Sequence, residues 1–172
     1  LPPGLSLANL TGTGKETLEG SGLGAYVQRH LDPSLSFKDL EWLVEQTDLP
    51  VGVKGIVRSD DAVQSAKIGA RAVVVSNHGG RQLDHSPATL HCVQRIRQAL
   101  DPSVEVWMDG GVRRGADALL ACCLGARGVL VGRPLLWGLA AAGEAGVRQV
   151  FQTLRAELNE AMLLLGCSRL DE

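Results

Sequence analysis

Residues 68–76 read IGARAVVVS and residues 124–132 read LGARGVLVG, two stretches 56 positions apart built on one pattern. In each, a helical segment meets a glycine (Gly69, Gly125) and passes at once into an apolar run. A glycine at that junction predicts a helix C-cap, because it enters the left-handed region without a Cβ penalty. The run behind it lacks the apolar–polar alternation of a strand with one wet face, and so reads as a strand of a parallel sheet covered by helices.

The same unit extends in both directions. Ser36 and Asp39 form a capping-box-like start, with Phe37, Leu40, Leu43 and Val44 at helical spacing and Pro50 beyond the helix. VGVKG (51–55) reads as a short strand, and Ser59-Asp60-Asp61 opens a helix that ends near Gly69. AVVVS (72–76) is the next strand, and Pro87 to Leu100 the next helix. VEVWMD (104–109), a helix from Gly115 to Leu124, GVLVG (128–132) and a last amphipathic helix from Gly146 to Leu165 complete the order. This α/β pattern of four βα units with parallel strands makes half of a (β/α)8 barrel or a small doubly wound sheet. Residues 1–35, rich in glycine and poor in apolar periodicity, read as a long flexible loop before a domain at 36–172. Within that loop GTGKE (12–16) resembles a phosphate loop, but Asn9 stands where its first glycine belongs and Glu16 where Ser or Thr would hold a metal.

Composition narrows the function. Of 172 residues, 45% are apolar and 21% charged, the balance of an ordinary globular domain. A net charge of −2 and 3% aromatics argue against a nucleic-acid face. No apolar stretch approaches a membrane span, and no signal peptide opens the chain. The start at Leu1-Pro2-Pro3 instead of Met suggests a piece of a longer protein. Cys92, Cys122, Cys123 and Cys167 lack C-x-x-C spacing, so neither a zinc site nor a disulfide framework is expected.

Chemistry gathers just after each strand. Lys54 closes the first, SNHGGR (76–81) follows the second, DGGVRRG (109–115) the third and GRP (132–134) the fourth. The C-terminal ends of parallel strands share one face, which in barrels carries the active site. Gly110-Gly111 with Arg113, and Gly132-Arg133 with Pro134 suited to a helix's first turn, read as a phosphate cradle. The competing reading makes the glycines tight turns, the arginines solvated, Lys54 a surface lysine and Asp109 a cap. His30, His85 and His91 have no supporting neighbours and read as surface residues. His78 differs: Gly79-Gly80 free the backbone around it, and Arg81 lies three positions on. A group that titrates near neutrality beside a carboxylate fork suggests a general base acting next to a carboxylate.

SNHGGRQLD (76–84), DGGVRRG and GRPLLWGLA with GEAGV together resemble the FMN-dependent α-hydroxy acid oxidases and dehydrogenases over nearly the whole chain. The two glycines after His78 and the LLWGLA stretch lean toward the hydroxyacid oxidase 2 type within that family. The resemblance implies the C-terminal half of a TIM barrel with FMN at its mouth. It implies oxidation of (S)-2-hydroxy acids to 2-oxo acids, with O2 reoxidising the flavin to give H2O2. His78 would be the base and would also contact substrate, and Arg81 would bind the substrate carboxylate. Lys54 would sit by flavin N1, stabilising charge that develops on reduction. Ser76 would touch the flavin, while Asp109, Gly110, Gly111, Arg113, Gly132 and Arg133 would hold the ribityl chain and phosphate.

The family pattern has eight strands, and these residues supply the last four. The earlier tyrosines, the aspartate that partners the histidine and a second substrate arginine are absent from the 172 residues. A chain of this length alone is therefore expected to show little or no oxidase activity. Two other readings stand beside the oxidase. One is a non-catalytic fragment that binds FMN phosphate or associates with full-length subunits. The other is a dehydrogenase that passes electrons to a cytochrome or quinone. By the resemblance, the full-length form is expected to be a homo-oligomer, peroxisomal in a eukaryote and otherwise cytoplasmic, with no nucleic-acid or membrane partner.

Overall fold

The computed structural model describes residues 31–170 and 172. The glycine-rich stretch read as a flexible loop, GTGKE and His30 with it, lies outside the described residues up to position 30. Contacts divide the chain into Leu1–Ser36 and Phe37–Glu172. Of the first unit, residues 31–36 are described, where the Asp32 carboxylate accepts from the Ser34 amide and hydroxyl.

The second unit opens with α1 (Phe37–Glu45), directly after Ser36. It continues as β1 (Gly52–Ile56), α2 (Ser59–Ile68), β2 (Ala72–Val75) and a 3-10 turn (His78–Gly80). Then come α3 (Leu90–Ala99), β3 (Glu105–Met108), α4 (Gly115–Cys123), β4 (Gly128–Val129) and α5 (Arg133–Leu165). The four strands form one parallel sheet in the order β1-β2-β3-β4, with Val73 opposite Val53 and Val106, and Met108 opposite Val129.

That order decides between the two architectures. A doubly wound sheet reverses its strand order at a switch point; this one adds each strand beside the last, as a barrel wall does. Burial agrees. Val73, Val75, Val106 and Met108 point into a core with Cys92, Val93 and Ile96 of α3, while Ala72, Val74 and Trp107 on the alternate positions are half-buried. The unbroken apolar run of β2 thus serves two faces, one against helices and one toward what would be a barrel interior.

The repeated glycine junctions are the same structure twice. After α2, the Gly69 amide donates to Ala66 O at 3.0 Å and Ala70 to Ser65 O at 3.1 Å, with Gly69 at φ 115°. After α4, Gly125 donates to Cys122 O at 2.8 Å and Ala126 to Ala121 O at 3.0 Å, with φ 98°. Both are paired C-terminal bonds that need a left-handed residue.

Two boundaries differ from the sequence reading. The helix expected from Pro87 begins at Leu90, preceded by Thr89, whose hydroxyl donates to Gly110 O and does not cap the helix. The strand expected over 128–132 pairs at Gly128–Val129, with one further ladder bond from Leu130 to Met108 O, before Gly132 turns the chain. The short helix expected to start at Pro134 and the last helix expected from Gly146 are both present, as two arms of one helical stretch from Arg133 to Leu165 that breaks at Ala142 and Gly143 (φ 57°, ψ −138°). The break folds 133–141 back on 144–165 so closely that a Cβ on Gly146 would lie 1.9 Å from Gly138 O.

Candidate active site

Three adjacent strand ends are tied by side chains. Lys54 Nζ, from β1, lies 2.9 Å from Ser76 Oγ behind β2 and 2.7 Å from Asp109 Oδ2 behind β3. Ser76 is buried, and its Oγ also accepts from the His78 amide at 3.1 Å. The other carboxylate oxygen, Asp109 Oδ1, is buried without a hydrogen-bond partner. Such an atom costs stability unless something donates to it.

His78 stands at φ 54°, a left-handed backbone that few non-glycine residues adopt. The flanking chain enforces it. Asn77 Oδ1 accepts from the Gly79 amide at 3.1 Å, and Asn77 Nδ2 donates to Pro87 O at 3.3 Å. The ring lies over a gap in β1: the register slips between Lys54 and Ile56, leaving Gly55 bulged at φ 102°. A Cβ on Gly55 would come within 3.0 Å of His78 Nε2. Arg81 ends the turn and is exposed.

The two glycine loops are built differently. At α4, Asp117 Oδ2 accepts from the amides of Arg113 (2.8 Å) and Arg114 (2.9 Å), and Glu157 of α5 accepts from Gly115 at 2.8 Å. Protein carboxylates thus already occupy this helix start. Gly111, at φ 85°, faces open space, as does Gly132 at the start of α5, where Pro134 sits in the first turn. Arg133 Nη2 donates to Gly79 O at 2.7 Å, linking the loop behind β4 to the turn behind β2. The Arg113 guanidinium lies 4.6 Å from the centroid of the Trp137 ring.

These residues surround one cleft of about 520 Å³, of a size suited to a cofactor. Lys54, His78, Arg81, Asp109, Gly110, Gly111, Arg113, Gly132 and Arg133 all line it. Ser76 lies beneath the wall, supporting Lys54 and His78. Exposed His85 and His91 stand outside it. Sequence reasoning missed Asn77, Thr89, Gly55 and Trp137. Thr89 Oγ1 donates to Gly110 O at 3.1 Å, and a Cβ on Gly110 would meet Asn77 Oδ1 at 2.7 Å. Asn77 lies inside the quoted SNHGGRQLD motif, but its partner Pro87 and the Gly110 it packs beside are distant in sequence. Among the described residues no group of His, Cys, Asp or Glu could hold a metal, and no helix is long and apolar enough to cross a membrane.

The model of the FMN-dependent dehydrogenase family matches residues 3–172. The chain belongs to that family. It is 51% identical over 181 residues to an L-lactate oxidase of Nostoc sp., covering 100% of this chain and 48% of the relative. It is 48% identical over 157 residues to a peroxisomal (S)-2-hydroxy-acid oxidase of Oryza sativa, covering 91% of this chain and 43% of the relative. A crystal structure of mandelate oxidase with (S)-4-hydroxymandelic acid superposes with a TM-score of 0.83 at 43% identity, over 88% of this chain and 42% of that one. The chain therefore spans about half the length of the relatives it matches, and its four βα units correspond to half of a (β/α)8 barrel.

The family is FMN-dependent, and the residues present fit that cofactor. Lys54, Arg113 and Arg133 outnumber Asp109 in the cleft wall, which suits a phosphate dianion. Gly111 and Gly132 leave room for close approach, and buried Asp109 Oδ1 awaits a hydroxyl donor of the kind a ribityl chain offers.

Proposed function

We propose that the protein to which this chain belongs oxidises (S)-2-hydroxy acids to 2-oxo acids with FMN, and that this chain carries the cofactor-holding half of the site with its base and carboxylate clamp. The carrying observation is the convergence of His78 and Arg81 on one cleft with Lys54, Asp109, Arg113 and Arg133, from four successive strand ends. FMN, when bound, accepts the two electrons of the oxidation and passes them to O2, giving H2O2. His78 takes the substrate proton, and Arg81 holds the carboxylate through its planar fork. Lys54, fixed by Ser76 and Asp109, would offer a positive charge to the bound flavin as it gains electrons, and buried Ser76 would serve the flavin site by holding Lys54 and the His78 amide. Arg113 and Arg133, with the amides of the Gly110-Gly111 and Gly132 loops, would hold the phosphate, and Asp109 Oδ1 would accept from a ribityl hydroxyl.

Relatives named for lactate and for (S)-2-hydroxy acids support a 2-hydroxy acid as substrate. The rice relative's name supports a peroxisomal setting in a eukaryote. A second reading, a chain that binds FMN phosphate or joins full-length subunits without turnover, draws on the half-exposed inward face of the sheet around Val74 and Trp107. The test is anaerobic mixing of FMN-loaded full-length protein with a panel of 2-hydroxy acids. Bleaching of the flavin is expected; a flavin that stays oxidised with every acid overturns the reading. Peroxide formed on admitting air separates an oxidase from a dehydrogenase that uses a cytochrome or quinone.

A further inference from the structure

We propose that Trp137 is a positioning residue for the cofactor phosphate and acts through Arg113; this rests on the FMN reading above. Trp137 is 56% exposed in the arm that begins with Arg133 and Pro134, and among the described residues it is not part of the hydrophobic core. Its ring instead covers the Arg113 guanidinium, 4.6 Å from the centroid. The contact brings together the loop behind β3 and the start of α5, the two glycine-bearing edges of the cleft.

The geometry suits an anion clamp. A guanidinium held over an aromatic ring by cation–π attraction spends none of its N–H donors on a hydrogen bond there, and those are the donors that grip a phosphate. A free arginine side chain loses considerable rotamer freedom when it binds, and one already held loses less. Arg113 is fixed at both ends: its amide donates to Asp117 Oδ2 at 2.8 Å, and Trp137 holds its head. Arg133 is held separately, by Gly79 O. Trp137 touches no phosphate in this account. It keeps Arg113 on the mouth side of the cleft, where Arg133 stands.

The experiment is an NMR titration of the full 172-residue chain with inorganic phosphate, following the arginine Nε–H and tryptophan Nε1–H resonances. In the parent, the Arg113 and Trp137 signals are expected to move together toward one saturation point. Trp137→Leu is expected to raise the dissociation constant roughly 2- to 5-fold, and Trp137→Phe, which keeps a ring, to restore most of the loss. Arg113→Gln is expected to weaken binding further, and adding Trp137→Leu to it to change nothing more, since the partner is already gone. Trp137→Leu binding phosphate as the parent does, or costing the same with Arg113→Gln present, overturns the inference while the cofactor reading survives. A parent whose Arg113 and Arg133 signals ignore phosphate contradicts that reading, and the inference falls with it. The site is exposed, so neither Trp137 variant is expected to unfold the chain.

Discussion

His78 keeps a left-handed backbone only because its neighbours hold it, and this makes its surroundings testable one residue at a time. Asn77→Ala removes the bonds to the Gly79 amide and Pro87 O. It is expected to cost about 0.5–2 kcal/mol, as loss of a capping side chain does, read as a lower denaturant midpoint together with a changed His78 ring environment. Gly55→Ala would press a methyl against His78 Nε2 at 3.0 Å from a residue at φ 102°. Displacement of the His78 ring signals is expected, and a variant with unmoved signals would show that the bulge does not seat the ring. In the full-length enzyme, His78→Gln is expected to lower turnover roughly 10²-fold or more with FMN still bound. Arg81→Met is expected to raise the substrate concentration needed for half-maximal rate. That His78, Arg81, Lys54, Arg113 and Arg133 would gather in one place was legible in the sequence, since each lies in a glycine-bearing stretch at a strand end, and all five line the cleft. Asn77 and Thr89 were not: beside its local bond to the Gly79 amide, Asn77 bonds Pro87 O and Thr89 bonds Gly110 O, contacts that no local pattern encodes.

The elements are held by backbone contacts as much as by apolar burial. Gly115 sits where α4 meets α5, and a Cβ there would lie 2.2 Å from Leu154 O and Leu158 N. Backbone atoms cannot step aside as a flexible side chain can, so Gly115→Ala is expected to separate the two helices and lower the melting temperature by several degrees. An unchanged melting temperature would contradict that crossing. Glu157 adds a polar tie, accepting from the Gly115 amide and from Arg114 Nη1 at 3.1 Å. At α2, the Arg58 guanidinium beside Asp60 holds that carboxyl down to about 2. A depressed carboxylate pKa stabilises the fold above its unfolded value near 4 and loses that contribution as pH falls toward 2. An Asp60 carboxyl titrating near 4 would show that the pair is not formed. On α4, burial pushes the Cys122 thiol up, whereas Cys123 is exposed, so alkylation is expected at Cys123 first. Strand and helix identities followed from periodicity, but the break at Ala142–Gly143 did not, because a close backbone crossing leaves only small residues as its trace.

At the scale of the whole molecule, the sequential strand order and the helices packed on one face make a barrel wall. Ile96, fully buried among Val73, Val75 and Val93, anchors that packing. Ile96→Ala is expected to cost about 2–5 kcal/mol, measured by chemical unfolding. The repeated helix–glycine–strand unit carried the half-barrel in the sequence, but could not by itself separate it from a doubly wound sheet; the strand order did. The central claim is that the mouth of this wall is built for a flavin that carries a phosphate. Its most direct test is parallel fluorescence titrations of the chain with FMN and with riboflavin, which lacks the phosphate. FMN is expected to bind the more tightly, and Arg133→Gln with Arg113→Gln to abolish the difference. Equal binding of the two flavins, or an FMN preference that survives loss of both arginines, would contradict it.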